Sequence, residues 1–284
     1  MLRDETGARR AAKDSDPEDK AKPGHLEALV TVQRTMDIFE MLADQVEGLP
    51  ISDIARELKV NKSIAFRILS SLKQAGYIYQ SLTDDSYRLT FRLSNLGLRQ
   101  QASARLTDQC FPIVRALADD TGELIRLAVV EDGKPIWVHA ASGPLRRLRI
   151  DPVWPAQVVF HAHAVGKAWL STLSDDEVAR ILGSGPFESL TPATKTELAE
   201  IMRDIQETRA QGYAMSYEES EVGVGAIAAP INVGKGGDLY CAAVLSIAAP
   251  TSRMNYDALV GASKVLLSAA RELEIVWPLD VSRL

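Results

Sequence analysis

Residues 49–76, LPISDIARELKVNKSIAFRILSSLKQAG, constrain the fold more than any other stretch of this chain. Read with a period of about 3.6 residues, they make two short helices and a tight turn. Ile51, Ile54, Ala55 and Leu58 fall on one stripe of the first helix, with Ser52 placed to cap its start. Lys59, Val60 and Asn61 form the turn, and Asn61 suits the N-cap of the second helix. That helix turns Ala65, Ile68, Leu69 and Leu72 inward and stops at Gly76. Lys62, Ser63, Phe66, Arg67, Ser70 and Lys73 are left on its outer face. Cations, hydroxyls and one ring on such a helix suit the DNA major groove, where Arg and Lys reach base edges and hydroxyls reach phosphates. An ordinary helical hairpin with a solvated charged face carries the same residue types.

The flanking segments extend the pair. Helical spacing runs over residues 26–42, with Arg34 either a phosphate contact or a solvated charge. Beyond Gly76, Tyr77 to Gln80 and Tyr87 to Thr90 read as two short strands around a polar Asp84, Asp85, Ser86 turn. Three helices and a hairpin make a winged helix-turn-helix over residues 26–91, and Arg88 is the one evident cation of the wing. Residues 1–25 are charged and lack apolar periodicity, which predicts a disordered tail. A linker helix is expected over 92–104, with Gly97 its soft point.

The period changes in residues 105–284. A helix over 106–120 should bend at Pro112 or start its first turn there. Strands at 124–130 and 135–140 flank an Asp-Gly turn, and 145–150 reads as a third. Helices at 164–172 and from Ser174, whose Glu177 sits at capping-box spacing, precede one at 196–211. Strands at 213–217, 225–231 and 239–248 and a covering helix at 256–273 complete an α+β domain of sensory type.

At 284 residues, 46% hydrophobic and 25% charged, the chain is long enough for these two domains. A net charge of −6 argues against a polycationic coat and leaves room for a local basic face. No apolar run approaches the roughly 20 residues of a membrane span, and no signal-peptide core opens the chain, so it is read as cytoplasmic with no membrane partner. Cys110 and Cys241 are too few for a disulfide framework.

Five stretches, in order, resemble the IclR family of bacterial transcriptional regulators: KSIAFRIL with LKQAGYI behind it, YRLTFRLSNLG, His161 to Ala168 as a His-Ala-x-x-x-Gly-Lys-Ala signature, Gly212-Tyr213-Ala214 with Glu218, Glu219, Gly223 and Ile227 to Pro230, and Ala242 to Ser246 before Pro250. The resemblance implies a dimer or tetramer on double-stranded DNA and a C-terminal GAF-like domain that binds a small-molecule effector. The implied DNA contacts are Arg34, Ser52, Lys62, Ser63, Ile64, Phe66, Arg67, Ser70 and Arg88. Family recognition helices commonly carry Ser-Thr where this chain has Ser63-Ile64, so an apolar group able to touch a thymine methyl replaces a polar contact. The implied effector residues are His163, Ala164, Val165, Ser216, Ala226, Ser246 and Ala248. Relatives that bind small keto acids use an Asp, a Cys and two Ser at the last four of these positions, and only Ser246 is kept. A compact charged acid such as glyoxylate then loses its partners, and an aromatic or medium-chain acid, or a neutral derivative, is expected instead.

Other chemistry is weaker. His161 and His163 invite a metal, and some relatives carry zinc, but no carboxylate or thiolate lies at useful spacing, so no metal or cofactor is assigned. Gly223-x-Gly225 and Gly234-x-Gly236-Gly237 do not open a helix after a strand and read as turns. A hydrolase would need a nucleophile with a base; Ser246 and His163 have the chemistry, but no Gly-x-Ser-x-Gly elbow exists. Trp137, Trp154 and Phe160 with Arg126 and Arg149 supply an apolar cavity with a carboxylate anchor, or else core packing and a surface ion pair. The competing class is a metabolite-transforming enzyme that carries a winged-helix oligomerisation module.

Overall fold

A computed structural model of the chain describes residues 23–144, 147–151, 158–235 and 238–278, with all side chains but those of 23–29, 235 and 238. Residues 1–22 of the expected tail and Trp154 lie outside these. Two compact units divide the chain between Gly97 and Leu98.

In the first unit, α1 (Pro23–Ala43) starts ahead of the expected 26. Helix α2 (Ile51–Glu57) is entered from Pro50, whose fixed φ of −71° places it as the N-cap residue. Ser52 therefore lies inside the first turn and does not cap, contrary to expectation. Lys59 closes the turn with φ 53°. Helix α3 (Lys62–Gln74) is capped as expected: Asn61 Oδ1 accepts from Ile64 N at 2.9 Å. Ile38, Leu42, Ile54, Leu69 and Ile78 are almost fully buried between these helices and the wing. The wing is β1 (Ile78–Gln80) antiparallel to β2 (Tyr87–Leu89), and Leu49 bridges Tyr87 on the far side. Gly48 must be glycine there. Its φ is +74°, and a Cβ would sit 2.5 Å from Arg88 Cγ and from Tyr87 O.

Helix α4 (Arg92–Ser103) continues through Gly97 and buries none of its residues. The helix expected over 106–120 is two, α5 (Leu106–Gln109) and α6 (Phe111–Thr121), broken at Cys110. Pro112 has no N–H to return to Asp108, so it occupies the first turn of a new helix.

The second unit is built on a five-stranded antiparallel sheet in the order β4-β3-β7-β6-β5. Its strands are β3 (Leu124–Glu131), β4 (Lys134–Ser142), β5 (Ala214–Tyr217), β6 (Val224–Lys235) and β7 (Asp238–Pro250). Asp132 and Gly133, both with positive φ, make the expected tight turn between β3 and β4. Residues 147–150 are not a strand; the Leu148 carbonyl accepts from Arg253 Nη1 at 3.1 Å instead of from a ladder neighbour.

Strand alternation assigns the two faces. Ile125, Leu127, Ile227, Ala229, Leu245 and Ile247 turn toward α6 and α10 (Tyr256–Val276). Ala128, Ala228 and Val244 turn the other way, toward α7 (Ala164–Leu170), α8 (Asp175–Leu182) and α9 (Leu198–Gln211). Leu124, Arg126, Ala226, Ser246 and Ala248 share this second parity. The site is therefore on the α7 face.

Candidate functional site

At about 100° per residue, the buried stripe of α3 fixes its outer face. Ser63, Arg67, Ser70 and Gln74 lie within roughly 30° of the point opposite that stripe. All are exposed, as are Lys62, Lys73 and Phe66, whose ring is 56% exposed. Ile64 sits on the flank, half-buried against the core of the helices. Arg34 and Arg67 both line a groove of about 550 Å³ between α1 and α3. Ser52 is exposed on α2.

Arg88, expected at the wing as a DNA contact, also makes internal bonds. Its Nε donates to Glu47 O at 2.9 Å, and its Nη2 pairs with Asp84 Oδ2 at 2.8 Å. The Ser86 hydroxyl, donating to Asp84 Oδ1 at 2.7 Å, leads the contacts that hold the Asp84 carboxyl well below its usual pKa. Through Nε and Nη2, Arg88 clamps the wing to the loop before α2.

A pocket lies between the sheet and the start of α7. The described residues bound about 100 Å³ there, among them Arg126, Trp137, His163, Val165, Ala226 and Ser246. Ala164 and Ala248 line it too, so six of the seven expected effector residues are gathered in one place. Ser216 is the exception. It is 1% exposed and spends its hydroxyl on Ala162 O at 2.7 Å, tying β5 to the turn before α7. That turn packs so closely that a Cβ on Gly166 would lie 2.4 Å from the Phe160 backbone.

His163 Nδ1 sits 3.1 Å from Val159 N. Burial, with the Arg126 charge adding to it, pushes the His163 pKa down, so the ring is neutral. His161 is buried and engages the Glu188 carbonyl at 2.9 Å through Nε2. Trp137 faces the pocket rather than only the core, because a register shift between Leu127 and Ala128 brings it opposite Ala128. Arg149 is a surface ion pair with Asp151 at 2.6 Å. Ser220 and Glu221 also line it, with Leu124, Ile150 and Val224, and none of these was expected there. The segment of Ser220 and Glu221 is pinned by the Thr191 hydroxyl on Glu218 O and the Thr194 hydroxyl on Glu219 O, each at 2.6 Å.

Lys167, which entered the sequence reading only as one position of the signature, is completely buried. Its Nζ is 2.6 Å from Asp204 Oδ2 and 2.6 Å from Glu219 Oε2, and Lys195 makes a second contact to Asp204. This network ties α7 to α9 and to the segment that carries Glu221. Among the described residues, no helix is long and apolar enough to cross a membrane.

Comparison with known proteins agrees with both units. The family model for the bacterial transcriptional regulator IclR C-terminal domain matches residues 98–275, and that for the IclR helix-turn-helix domain matches 31–82. The transcriptional regulator XynR of Escherichia coli K12 is 28% identical over 209 residues, covering 71% of this chain and 79% of XynR. The transcriptional repressor AllR of the same strain is 25% identical over 259 residues, covering 89% and 94%. An IclR homolog from Microbacterium hydrocarbonoxydans, solved in complex with 4-hydroxybenzoate, shares the fold with a TM-score of 0.70 at 22% identity, covering 87% of this chain and 98% of that one. Both named relatives are regulators, and the enzyme alternative finds no support in them. With a helix-turn-helix match followed by an effector-domain match along one chain, this protein belongs to the IclR family of bacterial transcriptional regulators.

Proposed function

We propose that this regulator represses a catabolic operon in the cytoplasm by binding a palindromic operator as a dimer or a dimer of dimers. The observation that carries the reading is the outer face of α3, where Ser63, Arg67 and Ser70 are exposed together with Lys62 and Phe66. Residues 26–91 act as the DNA-binding domain, 92–104 as the linker and 105–284 as the effector domain. Lys62, Ser63, Phe66, Arg67 and Ser70 meet the groove; Arg34, Ser52 and Ile64 flank it. The effector is a partly apolar organic acid held by His163, Ala164, Val165, Ala226, Ser246 and Ala248. The 4-hydroxybenzoate bound by the Microbacterium homolog is an acid of this class, and AllR is named a repressor. Binding changes operator affinity to the extent that the acid prefers one arrangement of the DNA-binding domains, and by the same coupling the operator changes affinity for the acid.

Selection of duplexes from a random pool by the purified full chain tests this. Enriched sequences should hold an inverted repeat with half-sites about one helical turn apart, or a multiple of it. Enrichment of a lone half-site, or of nothing, contradicts the reading.

A further inference from the structure

The pocket under α7 holds one charged donor that the protein leaves unanswered. Arg126 lines it from β3, its Cζ 5.1 Å from the centroid of the Trp137 ring. Its Nε is buried and, among the described residues, meets no acceptor. Folded chains leave few buried N–H groups unpaired, because such a group has given up water for nothing. Glu221, the other charged residue of the lining, is exposed at the rim and makes no ion pair with Arg126 among the described residues.

We propose that Arg126 is the specificity-determining residue of this pocket, and that its Nε–H receives the carboxylate of a small monocarboxylic acid whose apolar body, of about one ring, rests on the floor left by Ala226 and Ala248. Trp137 holds the guanidinium in place from its ring face. Ser246 stands directly across the ladder from Arg126, and its hydroxyl lies a long 3.5 Å from the Arg126 carbonyl, free to turn to the second carboxylate oxygen. His163 is neutral and adds no second positive charge. A second carboxylate on the ligand would meet Glu221 instead of a cation. The volume of about 100 Å³ bounded by the described residues is below the roughly 300–1,000 Å³ of sites for drug-sized ligands, which favours a small acid of about one ring.

The proposal rests on the reading of this pocket as the effector site. Calorimetry on the full chain with benzoate, benzamide and terephthalate as probes tests it. Benzoate should bind at millimolar concentration or below, with benzamide and terephthalate roughly 10–100-fold weaker, as expected when a charge-assisted hydrogen bond is lost. Arg126→Met should abolish benzoate binding, and Arg126→Lys should restore part of it. Failure of benzoate to bind, equal binding of benzamide, or retained binding in an Arg126→Met variant that keeps its fold would each overturn the assignment. Benzoate bound through Arg126 without any change in operator affinity would instead remove the effector reading and leave the assignment standing. An operator response to neutral compounds that survives Arg126→Met would do the reverse.

Discussion

Lys167→Met is expected to cost the C-terminal unit about 3–5 kcal/mol, out of the 5–15 kcal/mol typical of a folded domain. The lysine is fully buried, and its ammonium donates to Asp204, to Glu219 and, at 3.3 Å, to the Met215 carbonyl. Methionine keeps the apolar stem, one atom shorter, but leaves two carboxylates facing one remaining cation, Lys195. Asp204 keeps that partner. Glu219, 6% exposed, keeps none of comparable charge, and an uncompensated buried charge is what makes breaking such a pair expensive. The loss should travel to function, since Lys167 ties α7, which presents Ala164 and Val165, to the segment that presents Glu221. Urea unfolding should show the midpoint of this unit falling sharply, and Glu219→Gln in the same background should recover part of the loss. A midpoint unchanged in Lys167→Met would mean that the network contributes no net stability.

Arg67→Ala should act on the other unit and leave folding alone. Arg67 is exposed on α3, one turn beyond Ser63, and makes no ion pair among the described residues. A bidentate base contact is worth about 1–3 kcal/mol, and a dimer on a palindrome counts it twice. The expected loss of about 2–6 kcal/mol corresponds to roughly 30-fold to 10⁴-fold in operator affinity. Arg88→Ala is the informative contrast. Its Nε and Nη2 are engaged by Glu47 O and Asp84, so its loss should loosen the wing and lower stability as well as weaken any DNA contact it makes. Fluorescence anisotropy on the selected operator, with circular dichroism as the folding control, separates the two variants. Unchanged operator affinity in Arg67→Ala would show that the recognition face is wrongly assigned.

Where a residue's role follows from its own neighbours in the chain, the sequence was a good guide. Period-3.6 spacing placed Ala65, Ile68, Leu69 and Leu72 in the core, and Asn61 could be read as a cap because its partner, Ile64, is three residues away. Ala226, Ser246 and Ala248 were expected together only from the family resemblance; the register of β6 on β7 puts them on one side of the sheet. Roles set by distant partners were not legible. Lys167 stands in the sequence only as one position of the signature, because its partners Asp204 and Glu219 lie 37 and 52 positions later. Arg88 looked free because its acceptor, the Glu47 carbonyl, is a backbone group 41 residues earlier. Ser216 looked available for a ligand because Ala162 O, which takes its hydroxyl, is set only by the packing of the turn before α7. The apolar positions of 145–150 suggested a strand, but an arginine 105 positions away answers the Leu148 carbonyl. Pro112 was recognised as a boundary, yet the break it enforces at Cys110 depends on which of its two options the packing chose.

The most direct test of a sequence-specific DNA-binding regulator is a pair of titrations at one fixed salt concentration near physiological. The purified full chain is titrated into a labelled duplex from the region upstream of its own gene, and into a shuffled duplex of the same composition. Specific recognition predicts binding to the first at least about 10³-fold tighter than to the second, with the preference collapsing in Arg67→Ala. Equal affinity for the two duplexes would contradict the account, because a protein of net charge −6 that holds DNA only through phosphates has no means of choosing an operator.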